Sequence, residues 1–132
     1  MFIVNREYLD MKVATEDICC YKILYRLDET TLVSPFIGFK YDFGAVYSIA
    51  KPLQKIPYLY ANVVIDGFHS YKLQLSARNA TFFVNSSDKA VIVKCVIPKG
   101  SEYFENAHEF VSSSLQMTEI DAGEHKGWED YV

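Results

Sequence analysis

Three side chains in this sequence have the types and settings to do chemistry. His69 follows the turn pair Asp66-Gly67, so it is expected just beyond a tight turn and near a surface. Imidazole exchanges its proton near neutral pH and suits acid–base work, ligand orientation or metal binding. A structural role is the ordinary alternative for a lone histidine. Glu109 follows His108, with Glu102 and Glu105 upstream. A carboxylate at the start of a strand can reach a pocket at the sheet end, bond a ribose hydroxyl or stabilise a developing cation. A solvated loop rich in acids is the competing reading. Arg26 ends an apolar strand, where a guanidinium can hold a phosphate or carboxylate through two parallel bonds. An exposed strand-end charge is its default.

Other templates fail. No Gly-x-x-x-x-Gly-Lys phosphate loop, Gly-x-Gly-x-x-Gly fingerprint or Gly-x-Ser-x-Gly elbow occurs. The three histidines, His69, His108 and His125, are far apart and lack zinc spacing. Cys19 and Cys20 are neighbours in an expected strand, so their side chains should face opposite ways. Cys95 lies in the most apolar run. Three reduced, packed cysteines and no metal are therefore expected, which fits an intracellular, cytoplasmic setting.

The elements that position these residues follow from patterning. Ile18 to Leu27 reads as a strand, with the polar Lys22 and Arg26 at even positions. Asp28-Glu29-Thr30 turns it, Thr31-Leu32-Val33 pairs back, and Pro35 ends the pairing. Tyr41 and Phe43 alternate with Lys40 and Asp42, and Gly44 marks a turn or bulge. Lys51 to Tyr60, with Pro52 and Pro57, reads as a loop. Asn62 to Ile65 is a short strand stopped by Asp66-Gly67. Residues 70 to 83 are read as a short helix capped by Ser70 and ended near Asn85-Ser86-Ser87-Asp88, although Tyr71, Leu73, Leu75 and Ala77 also alternate. Ala90 to Ile97 is apolar on both faces apart from Lys94, as a strand covered on both sides would be. Pro98 and Gly100 stop it. Glu109 to Met117 alternates as one half-buried strand nearer an edge, with Val111, Leu115 and Met117 on one face.

At 132 residues the chain fits one domain. It is assigned to residues 1–121, with 122–132, around Trp128 and Tyr131, as a flexible acidic tail. An aromatic share of 15 % favours strands. The fold expected is α+β: a mostly antiparallel twisted sheet with one or two short helices. A net charge of −4 with no basic run argues against nucleic acid. No stretch approaches the ~20 apolar residues of a membrane span. Asn5, Arg6, Glu7, Asp10 and Lys12 break any secretory core in residues 1–13. The sequons at Asn79 and Asn85 are therefore read as chance.

Two resemblances add to this. The series Tyr41, Gly44, Tyr47, then Gly67-Phe68-His69-Ser70-Tyr71, Cys95 to Tyr103 through Ile97-Pro98-Lys99-Gly100-Ser101, and Glu109-Phe110-Val111-Ser112 resembles a group of small uncharacterised proteins of phages, other viruses and their hosts. It covers roughly residues 20 to 120 and implies origin more than activity. More distantly, Tyr25-Arg26, Phe68-His69-Ser70, Pro98-Lys99-Gly100 and Glu109 are similar in order to the Arg, Ser-Thr-Ser, Pro-x-Gly and Glu of ADP-ribosyltransferase-like folds. That likeness implies NAD as cofactor, with Arg26 and Glu109 in contact with it. Phe68-His69-Ser70 in place of Ser-Thr-Ser, and Ala107 two before Glu109, point to a degenerate or purely binding version.

Three functional readings follow. The first is a small virus- or phage-type accessory protein that binds a protein partner or small ligand and needs no cofactor. The second is an NAD-using transferase in which Glu109, His69 and Arg26 are catalytic and Arg26, His69 and Tyr71 hold the cofactor; it requires one cleft containing all of them. The third is a particle subunit whose aromatic sheet edges pair in a homo-oligomer.

Overall fold

The structure, a computed structural model, describes residues 2–4, 10–29, 31–34, 39–58, 61–80 and 90–120. The expected tail with Trp128 and Tyr131, His125, Pro35 and the cluster 85–88 lie outside these residues. The strands are β1 (Phe2–Val4), β2 (Lys12–Val13), β3 (Ile18–Arg26), β4 (Thr31–Val33), β5 (Lys40–Asp42), β6 (Val46–Ser48), β7 (Gln54–Tyr58), β8 (Ala61–Ile65), β9 (Phe68–Tyr71), β10 (Ala90–Ile97), β11 (Glu102–Glu105), β12 (Glu109–Ser112) and β13 (Ser114–Ile120). One helix, α1 (Gln74–Ala80), stands between β9 and β10.

This corrects the α+β expectation. Among the described residues the fold is mostly antiparallel β, with a single helix of seven residues. Two misreadings account for the difference. Ser70 does not cap a helix; it lies inside β9, fully buried, β9 ends at Tyr71, and the helix begins only at Gln74. The Pro-containing stretch 51–60 is not simply a loop, because β7 runs through Pro57. β7 is the outer strand of a three-stranded sheet ordered β1-β8-β7, and an edge is where a residue without an N–H can sit.

The larger sheet runs β2-β11-β12-β9-β3-β10-β13-β6. Its spine is β3 against β10, from Ile18↔Ile97 to Tyr25↔Ala90. Both faces of this spine are covered, as the apolar run 90–97 predicts. Cys20, Leu24, Val93, Cys95 and Ile97 face an interior shared with Leu32, Tyr41, Phe68, Phe110, Leu115 and Met117. Ile23, Ala90 and Ile92 face the opposite way, against Ala77 of α1. A third cluster, Leu53, Val64, Phe104 and Val111, seats the small sheet on β11 and β12.

The sheet forks at β3. β9 pairs with it only at Tyr21↔Tyr71. Further along, β4 occupies that position, at Tyr25↔Val33 and Arg26↔Leu32. β4 pairs with β5, the Gly44 turn (φ 82°) leads to β6, and β6 pairs with β13 beside β10. The path therefore curls back to the spine around the aromatic interior. The expected single strand from Glu109 to Met117 is split at Ser113. Its halves flank different strands, β12 beside β9 and β13 beside β10, and neither is an edge. Ser113 is fixed at the break by its N–H on the Glu102 carbonyl (2.8 Å) and by the Ile49 N–H on its own carbonyl (2.9 Å).

Candidate functional site

Ladder register places His69 and Glu109 side by side. β9 and β12 pair Glu109↔Tyr71 and Val111↔His69, so these residues share one face. His69 Nε2 lies 3.6 Å from Glu109 Oε2, and the His69 and Tyr71 rings meet edge to face at 4.8 Å between centroids. The loop before β12 aims the carboxylate. Asn106 Oδ1 accepts from the N–H groups of His108 (2.8 Å) and Glu109 (2.7 Å), and Asn106 Nδ2 reaches Glu109 Oε2 at 3.5 Å. Burial pushes the His69 pKa below its ordinary value, while the neighbouring Glu109 acts the other way. Desolvation prevails because the pair is longer than a good hydrogen bond. His69 is therefore held toward neutral imidazole.

The acid-rich loop expected before Glu109 is largely a strand. Glu102 and Glu105 belong to β11. Glu102 accepts from the Leu53 N–H at 3.3 Å, and Glu105 meets Lys12 at 3.2 Å and Lys72 at 3.5 Å.

Arg26 does not join His69 and Glu109. Glu109 sits opposite Tyr71, and Tyr71 opposite Tyr21. Arg26 is five residues further along β3, about 17 Å at the usual strand rise. It is exposed, and its Nε donates to the Asp28 carbonyl at 3.2 Å, closing the β3–β4 turn.

A cleft lies elsewhere, at the fork in the sheet, and its key residue was not singled out from sequence. It measures 420 Å³, and its walls include Lys22, Phe39, Tyr41, Tyr47 and Phe68, with Lys51 and Asp66 exposed at the rim. Lys22 shares strand parity with Cys20 and Leu24, so it points inward with them; only 6 % of it is exposed. Its Nζ donates to the His69 carbonyl at 2.6 Å and stands 5.9 Å from the Tyr41 ring centre. No carboxylate among the described residues pairs with it. Burial lowers the Lys22 pKa; the nearby Cys95 and Cys20 thiols act the other way without offsetting the lost hydration. Parity was the available signal: a lysine two residues from Cys20 and from Leu24 in an apolar strand must enter the core or expose them.

The aromatic walls support one another. Phe39 lies 4.8 Å from Tyr41 and 5.6 Å from Tyr47 between ring centres, and Tyr41 and Tyr47 meet edge on at 5.2 Å. Tyr47 Oη accepts the Asp42 N–H at 2.7 Å. Burial raises the Tyr41 hydroxyl well above the usual tyrosine range, so it stays protonated. Beneath them Cys20 lies opposite Cys95, and the buried Ser70 Oγ, without a hydrogen-bond partner among the described residues, lies near the Cys20 thiol. Burial likewise raises the Cys95 thiol, whose Sγ contacts Met117 Sδ at 3.5 Å. Cys19 is exposed on the other face, as neighbours in a strand require.

Among the described residues no group of His, Cys, Asp and Glu could hold a metal ion, and no helix is long and apolar enough to cross a membrane. Comparison of the chain with protein-family profiles, curated proteins and solved structures gives no match.

Proposed function

We propose that this protein binds a small planar ligand in the cleft at the fork, with an acceptor group of the ligand set on Lys22 Nζ. This is the binding reading of a small accessory protein, and the phage-type resemblance is compatible with it. The observation that carries it is the placement of Lys22. An amine with one carbonyl partner and, among the described residues, no paired carboxylate lies in a 420 Å³ cleft walled by four aromatic side chains. Such a volume suits a small organic molecule, and apolar walls with a few convergent polar groups are the usual make-up of ligand sites. A carboxylate or carbonyl oxygen on the ligand would satisfy the remaining donor capacity of Lys22. The transferase-like reading needs Arg26 and Glu109 in one cleft, and the ladder register does not favour it.

The test is titration with 4-hydroxybenzoate, NAD and ADP-ribose, read by thermal shift and backbone amide NMR. The aromatic acid is expected to stabilise the fold, by about 2.7 kcal/mol at 100 times its dissociation constant, and to shift resonances of Lys22, Tyr41, Tyr47 and Phe68. Lys22→Met should abolish both effects. If a panel of aromatic acids leaves these resonances unmoved, the reading is wrong. Shifts confined to Arg26 and Glu109 on adding NAD would favour the transferase-like alternative instead.

A further inference from the structure

We infer that Lys22 is a covalent capture site for aldehydes, forming a Schiff base with an aromatic aldehyde seated in the cleft. The inference rests on the ligand-binding reading above and names a ligand class for it.

The first argument is geometric. Lys22 Nζ donates one hydrogen to the His69 carbonyl at 2.6 Å. A neutral amine held this way keeps a second hydrogen and a lone pair, and Lys22 forms part of the cleft wall. The carbonyl fixes the end of an otherwise mobile four-carbon chain, so the nucleophile is positioned before any ligand arrives. The rings of Phe39, Tyr41, Tyr47 and Phe68 offer an aromatic body its contact surface.

The second argument is electrostatic. A buried ammonium with no carboxylate is costly, and such a lysine shifts readily to the neutral amine. The lowered Lys22 pKa agrees with that expectation. Only the amine has the lone pair needed for attack. Exposed lysines such as Lys40 and Lys99 lack this buried environment.

The step balances without an outside oxidant or reductant. The nitrogen lone pair attacks the aldehyde carbon, and the C=O π pair moves to oxygen to give a carbinolamine after proton transfer. The hydroxyl takes a proton from solvent and leaves as water, and the remaining nitrogen proton returns to solvent, leaving a neutral C=N bond. If the imine is protonated, its N–H keeps the His69 carbonyl as acceptor.

The experiment treats the full chain at pH 7 with sub-stoichiometric 4-hydroxybenzaldehyde and sodium cyanoborohydride, which reduces an imine to a stable secondary amine. Peptide mass mapping then locates the added hydroxybenzyl group. Lys22 is expected to be modified at least tenfold faster than Lys40 and Lys99, and 4-hydroxybenzoate should compete. Lys22→Arg should lose the fast site and leave the slow labelling of Lys40 and Lys99. Mapping on the unmodified sequence does not depend on how that variant folds. Modification of Lys22 no faster than the exposed lysines overturns the inference. If 4-hydroxybenzoate still shifts the cleft resonances, the binding reading survives that result; if it does not, both fall.

Discussion

His69 meets two neighbours with different parts of itself. Its carbonyl takes the Lys22 amine on one side of the sheet, and its ring faces Glu109 on the other. Because burial lowers its pKa below the ordinary 6.5, the unfolded chain takes up the proton first as pH falls. Stability is therefore full above that value and declines as pH falls through it toward the folded-state pKa. Glu109 limits this loss by favouring the imidazolium. Glu109→Gln should lower the His69 titration further and steepen the decline in melting temperature below pH 6.5. Imidazole resonances followed by NMR give the first quantity, and thermal melts across pH 5 to 8 give the second. A His69 that titrates higher in the variant would show that Glu109 is not its controlling neighbour.

Between elements, the Asp66-Gly67 turn transfers the chain from the small sheet to β9. Both residues have positive φ, 62° and 93°, which is the type I′ pattern that Asp-Gly favours. Gly67 is further confined, since a Cβ there would lie 2.7 Å from Leu53 Cδ2, 2.9 Å from Val111 Cγ1 and 3.1 Å from the Ser112 carbonyl oxygen. Gly100 has a similar φ of 90° but nothing within 4 Å. Gly67→Ala should cost about 3 kcal/mol from strain and overpacking together, and Gly100→Ala about 1 kcal/mol from backbone strain alone. Urea unfolding of the two variants measures the difference.

That turn was legible in the sequence because its chemistry is local. So were β3, the β4 pairing, β10 and its stop at Pro98, where runs of residues with β propensity are long or sharply bounded. The misreadings were of another kind. Pro57 signals a loop unless it is known to lie on an edge, and edge position is a property of the assembled sheet. Alternation through Ser113 hid a break that depends on hydrogen bonds to distant Glu102 and Ile49. The nearness of His69 and Glu109 needed the β9–β12 register, which no local pattern carries. Lys22 was readable by parity but passed as an ordinary polar strand residue.

Across the whole molecule, stability concentrates where β3 and β10 are covered on both faces. Ile92 is fully buried under α1, while Val13, on the two-residue edge strand β2, is 55 % exposed. Ile92→Ala should cost about 3 kcal/mol through lost burial and the cavity left behind. Val13→Thr should change stability by less than about 0.5 kcal/mol. Denaturant midpoints test both, and a small loss at Ile92 would mean that α1 collapses onto the vacated space.

The fork at β3 also bears on how the cleft can exchange its contents. Among the described residues, the two flanking strands leave the edge of β3 around Lys22 without a ladder, between Tyr21↔Tyr71 on one side and Tyr25↔Val33 on the other. Parting them there stretches one lysine–carbonyl bond and some ring contacts, and no row of backbone bonds has to open. A ligand entering the proposed site there would have to displace Lys22 and ring side chains that are largely buried. The spine a strand away keeps its pairing throughout. Under the binding proposal, loading the cleft and unpairing the β3–β10 spine are therefore separate events, because the ladder from Ile18↔Ile97 to Tyr25↔Ala90 lies on the other edge of β3.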